Sequence, residues 1–136
     1  KPPEEILRAP GVRYLGRLKK EVPSELQAME EELRTAFFLI HPTIMDTMGA
    51  VIVEAGYFGT PAIAPNNFGI PDLVTTYKTG VLVDLPLTVE KFADPIIFFA
   101  RNEQQYIEMR KSCYAFMTGN RTWRVIAEKV AEKINL

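Results

Sequence analysis

The chain has 136 residues, of which 47% are hydrophobic and 24% charged, with a formal net charge of −1. This is the composition of an ordinary soluble globular chain, long enough for one domain with a moderate core. The near-zero charge gives no pull toward nucleic acid or an anionic membrane. A single cysteine, Cys113, excludes an internal disulfide framework and a cysteine-rich zinc site and suits a reducing, cytoplasmic setting; a single histidine, His41, argues against a histidine-based metal site. No apolar run approaches the roughly 18 residues of a bilayer span, and no signal peptide is read. The first residue is Lys1 rather than methionine, so the sequence is expected to be a piece of something longer.

In chain order, residues 2–9 read as a short helix with Pro3, Glu4 and Glu5 in its first turn, broken by Pro10 and Gly11. Residues 12–16 (VRYLG) read as a strand and 17–20 as a charged connector. Ser24 and Gln27 have the spacing of a capping box, and Leu26, Met29, Leu33 and Ala36 recur at helical intervals, which predicts an amphipathic helix over 25–35 with an acidic outer face. The wholly apolar run 37–40 fits a buried strand of a parallel sheet. Residues 62–64 and 81–83 are two more short apolar runs. Between them, 65–71 (PNNFGIP) is a loop by its turn formers, and 72–76 is either a helical turn or a bridge. Thr88 is expected to cap a helix to Ala100, with Val89, Phe92, Ile96 and Phe99 on its inner face. A helix over 103–117 follows, ended by Thr118, Gly119 and Asn120, with Cys113 and Met117 as core residues. The last helix, 122–134, is expected to bury Trp123, Ile126, Ala127, Val130 and Ile134, with Trp123 as an anchor. Strands alternating with helices give an α/β class: a Rossmann-like parallel sheet flanked by helices.

The stretch on which the rest is organised is 46–61, DTMGAVIVEAGYFGTP. Asp46 and Glu54 stand eight residues apart; Thr47, Met48 and Gly49 form a small-residue turn opening a helix that Gly59 and Pro61 stop. The first N–H groups of a helix lack intrahelical partners and sit at the positive end of its dipole, which suits phosphate or carboxylate. Glu54, flanked by Val51, Ile52, Val53 and Ala55, needs solvent or a hydrogen-bonding partner. Two readings are open on spacing alone. In one, the carboxylates hold hydroxyls of a phosphorylated ligand; in the other, they are a solvated turn aspartate and an exposed helix glutamate. Ligands of a doubly wound sheet bind outside the carboxyl ends of the strands, so loops 41–48, 65–72 and 16–22 share one rim, and Gly69 allows close approach.

These residues carry a resemblance. The run from Asp46 to Ala64, with Phe68-Gly69-Ile70-Pro71-Asp72 and Gly80-Val81-Leu82-Val83 in order behind it, resembles the signature of retaining, GT-B-fold glycosyltransferases of glycosyltransferase group 1. Their pattern is E-x-F-G-x-x-x-x-E-A, then G-x-P-V-I-A, G-G-I-P-E and G-x-L-V. Residues 12–16 resemble the family's V-x-F-L-G strand, 37–43 its strand ending in P-S, and 116–123 the aromatic element before the last helix. The resemblance implies the C-terminal, donor-binding domain of such an enzyme, with residues 1–136 covering only part of it. It implies a nucleoside-diphosphate sugar as donor, an unidentified acceptor, and transfer with retention through a transition state of oxocarbenium character, with no metal or other cofactor. Asp46 would lie beside the donor sugar or its phosphates as the catalytic residue. Glu54 would bond the ribose hydroxyls, and the backbone at Met48, Gly49, Ala50 and Gly69 would meet the donor.

The chain departs from the pattern in three ways. Asp46 replaces a glutamate, Met48 stands where phenylalanine is usual, and the upstream strand with its Arg/Lys pair is missing; Arg17, Lys19 and Lys20 imitate that pair by letters but lie at the later strand. With upstream strands absent, self-association of the chain is expected, and turnover by the chain alone is not. A nucleotide-sugar epimerase of the same fold, with His41 or a carboxylate as base, is the alternative enzyme. An interaction module docking through the acidic helix face 25–32 is the alternative outside enzymology.

Overall fold

The computed structural model describes residues 2–134, which divide into two compact units, one ending at Glu32 and the other beginning at Leu33. In the first unit, α1 (Glu4–Leu7) is a single turn closed by an Arg8–Glu4 ion pair of 2.9 Å. Residues 12–16 are not a strand: Gly11 and Gly16 lie in the left-handed region (φ +79° and +73°), and the four residues between them join no sheet. Without a neighbouring strand, apolar alternation has nothing to pair with. Helix α2 (Pro23–Thr35) starts two residues before the expected start, with Pro23 opening its first turn. Ser24 therefore lies inside the helix, and it is Glu25 that accepts an N–H, from Lys19 at 2.6 Å. The apolar residues Leu26, Met29 and Leu33 are half-buried.

The second unit is built on three parallel strands, β1 (Leu39–Ile40), β2 (Ala62–Pro65) and β3 (Gly80–Val83), in the order β1-β2-β3. Leu39 is opposite Ala62, and Ala62 opposite Gly80. Parallel neighbours need crossovers, supplied by α3 (Ala50–Gly56) between β1 and β2 and by the 3-10 turn Ile70–Asp72 with its flanking loops between β2 and β3. The central strand is buried on both faces. Its alternate side chains go to two different clusters: Ala62 and Ala64 join Ile52, Ile70, Leu73, Val74, Cys113 and Met117, while Ile63 joins Val81, Val83, Phe99, Tyr106 and Met109. Helix α4 (Val89–Arg101) covers the second cluster with Phe99, and α5 (Glu103–Asn120) contributes to both. The α/β class with a Rossmann-like parallel sheet flanked by helices is therefore observed. Burial holds the Cys113 thiol up at about 11, consistent with a packing residue.

Three expectations on the helices are corrected. Val89 shares the face of Phe92, Ile96 and Phe99 but faces solvent: it is the first residue of α4, and the cluster those three pack into does not reach it. Helix α5 runs through Thr118 and Gly119 to Asn120, since Thr118 Oγ1 donates to the Tyr114 carbonyl (2.7 Å) and Asn120 Nδ2 to that of Phe116 (3.2 Å), which keeps both residues in helical register. Helix α6 (Trp123–Lys133) is capped by Thr122, whose side chain accepts from the Val125 N–H, but it buries none of its residues, and Trp123 is 83% exposed. Periodicity tells which residues share a face, not what covers it.

Arg110 of α5 ties the connections at the base of the sheet. Its guanidinium donates to the carbonyls of Arg34, Ala36 and Phe58, each at 3.2 Å, and lies over the Tyr106 ring. Arg110→Met keeps the apolar stem but strands three carbonyls; it should lower unfolding stability by about 2–3 kcal/mol, read from urea denaturation.

Candidate functional site

The site grows out of the loop after β1. The Asp46 carboxylate folds back on its own chain: Oδ1 accepts the N–H groups of Met48 (2.9 Å) and Gly49 (2.8 Å), and Oδ2 meets His41 Nε2 at 2.8 Å. These donors, the Gly49 and Met48 amides first and His41 after them, hold the Asp46 carboxyl below the ordinary carboxylate value. The turn delivers the chain to α3 through Gly49, whose φ of +55° favours glycine. A Cβ there would stand 2.8 Å from Leu73 Cδ1 and 3.1 Å from Ile70 Cδ1, so the left-handed turn also lets the loop after β2 close over the start of α3.

That second loop is locked to the first at two points. Asn67 Nδ2 donates to the Ile44 carbonyl at 2.7 Å, and a Cβ on Gly69 would lie 2.3 Å from the Thr47 carbonyl oxygen, so only glycine fits. The convergence of loops 41–48 and 65–72 expected from the α/β topology is observed. Residues 16–22, the third loop of the sequence reading, belong to the first unit.

The residues singled out from sequence sit as follows. Asp46 is half-buried, Gly49 buried, Met48 and Ala50 exposed, and Gly69 half-buried beneath the loop contact. Glu54 is half-buried in the second turn of α3. The amides of Met48 and Gly49, offered in the sequence reading to a ligand, are donated to Asp46. Helix α3 is only seven residues long, so little dipole stands behind its first turn. The contacts that the sequence reading missed are those of His41 with Asp46 and of Asn67 with Ile44. His41 stands five residues from Asp46 in an irregular loop, and Asn67 twenty-three from Ile44; neither separation follows a helical or strand period that could have signalled the contact. Among the described residues no group of three or more His, Cys, Asp or Glu could hold a metal ion, and no helix is long and apolar enough to cross a membrane.

Comparison with known proteins adds the family. The family described as glycosyl transferases group 1 matches residues 9–116, and the chain belongs to it. Sucrose-phosphate synthase 4 of Arabidopsis thaliana is 29% identical over 79 residues, covering 58% of this chain and 7% of that protein. A GDP-mannose-dependent alpha-(1-6)-phosphatidylinositol monomannoside mannosyltransferase of Mycobacterium tuberculosis is 30% identical over 88 residues, covering 65% of this chain and 23% of that protein. In structure, the chain resembles Anabaena Alr3699/HepE in complex with UDP-glucose, with a TM-score of 0.67 and 22% identity over 76% of this chain and 28% of that one. The chain thus spans under a quarter of the length of these two relatives, and the likeness to the solved structure is one of fold.

Because its folded pKa lies below the unfolded one, Asp46 contributes stability that is present above about pH 3.9 and lost as pH falls through the folded value. Asp46→Asn should cost about 1–2 kcal/mol near neutral pH, and the gap to the native chain should narrow on acidification below pH 4, measured by denaturation at a series of pH values.

Proposed function

We propose that the chain is part of the C-terminal, donor-binding domain of a retaining GT-B glycosyltransferase, which takes a nucleoside-diphosphate sugar and gives its glycosyl group to an acceptor hydroxyl. The observation that carries this reading is the closure of loop 65–72 onto loop 41–48 at the start of α3, by Gly69 on Thr47 and Asn67 on Ile44, with Glu54 one turn into that helix. In a parallel α/β sheet this is the rim beyond the carboxyl ends of the strands, where ligands bind. Family membership, and the UDP-glucose bound by the structural neighbour, support a nucleotide sugar as the ligand.

The roles divide by geometry. A carboxylate beside a diphosphate is repulsive unless its charge is satisfied. Asp46 is satisfied by two amides and His41, so it acts by shaping the turn that the donor meets at Met48, Gly49 and Ala50. Glu54 is the acceptor for a ribose diol, and Gly69 lets backbone approach the donor closely. Transfer breaks the bond between the anomeric carbon and the diphosphate oxygen, whose electron pair leaves with the diphosphate. The acceptor hydroxyl oxygen then bonds to the same carbon on the face the diphosphate leaves, with retention, and its proton passes to the departing diphosphate. Prearranged donors toward the departing diphosphate supply the main catalytic term, part of them from protein outside this chain, and no metal or cofactor is required. The setting proposed is the cytoplasm.

In the intact protein, Glu54→Gln keeps the shape but turns one acceptor oxygen into a donor. It should lower kcat/KM for the nucleotide sugar about ten- to a hundredfold. Unchanged kinetics in this variant would remove the assignment of the site. Activity should also survive EDTA; loss that is restored by a divalent ion would show that the transfer needs a metal.

A further inference from the structure

Among the described residues two that are not glycine adopt left-handed backbone, Phe68 at φ +48° and Tyr77 at φ +59°. For a bulky residue that conformation is a strained one, kept only where the surroundings impose it. Tyr77 recovers the cost: its ring packs at 5.8 Å from Phe99 and 6.1 Å from Phe98, and its N–H donates to the Gly80 carbonyl at 2.8 Å. Phe68 is about as exposed as Tyr77 (61% against 63%) but has no aromatic partner among the described residues. Its position is nonetheless fixed, since Asn67 is bonded to Ile44 on one side, Gly69 is pressed on Thr47 on the other, and Ile70 is fully buried. Glycine, which the resembling motif carries here, would fit the backbone without strain. Beside the seam on the facing loop stands Met48, itself 70% exposed. A strained ring and a thioether, one on each of the two interlocked loops, are both left in water.

We infer that Phe68 is a donor-contact and specificity residue, laying its ring on an uncharged flat face of the nucleotide sugar, either the base or the C–H face of the sugar. The inference rests on the proposed function of the same site. An apolar ring gains nothing from the diphosphate, but stacks on any base and covers the C–H side of a hexose.

The test separates ligand contact from fold, because the two respond in opposite directions. In the intact protein, Phe68→Gly should raise Tm by about 2–6 °C as the backbone strain is relieved, while weakening ligand binding about tenfold. Phe68→Ala should weaken binding equally without the gain in Tm, which excludes loop flexibility as the cause. Titrations with UDP and with UDP-glucose locate the contact: loss with both assigns it to the base, and loss with UDP-glucose alone assigns it to the sugar. Native affinity for both ligands in both Phe68 variants, with Glu54→Gln weakened, would overturn this inference alone. If Glu54→Gln is also silent, the reading of the site falls with it.

Discussion

The candidate site depends on one carboxylate that faces inward on its own loop. Asp46 accepts two backbone N–H groups and meets a histidine, and those three bonds decide where the chain after β1 turns and how α3 begins. A turn of this kind could be built from backbone alone only at the cost of unpaired amides, and Asp46 pairs them while the left-handed Gly49 lets the chain swing into the helix. The absent Cβ at Gly49 leaves the room into which Leu73 and Ile70 pack. Thus a polar constraint at one residue sets the packing of an apolar layer several residues away.

The small sheet works because its centre is sealed on both faces. The alternation of Ala62, Ile63 and Ala64 sends small side chains to the α3 side and a large one to the α4 side. The small residues let α3 lie close, and close approach recurs at Gly56, where a Cβ would meet Met117 Cγ at 2.4 Å. Helix α5 then closes both clusters and, through Arg110, bonds the carbonyls at the base of the sheet. The rigid base leaves the opposite rim, with its two interlocked loops, as the place where the chain can present groups to a ligand. Strain at Phe68 and exposed apolar side chains at Met48 and Phe68 sit on that rim and not in the core.

The sequence by itself determined the α/β class, the three strands of the sheet (together with a fourth at 12–16 that does not form), the positions of α3, α4 and α5, Cys113 and Met117 as core, and the loops that flank the site. These follow from short-range chemistry: apolar runs of strand length, helical periodicity, and turn formers at Gly and Pro, which act over a few residues. The motif run from Asp46 to Val83 also indicated the family, because several spaced motifs in one register are far more specific than any pair of carboxylates. Only the tertiary structure decided the rest. Whether 12–16 pairs, whether Trp123 and its helix find cover, and that Asp46 is held by His41 and its own loop's amides all depend on partners that no local pattern names. The same holds for Gly69 on Thr47: the glycine is visible in the sequence, but the carbonyl that forbids any larger residue is twenty-two positions away and arrives there only when the sheet has formed.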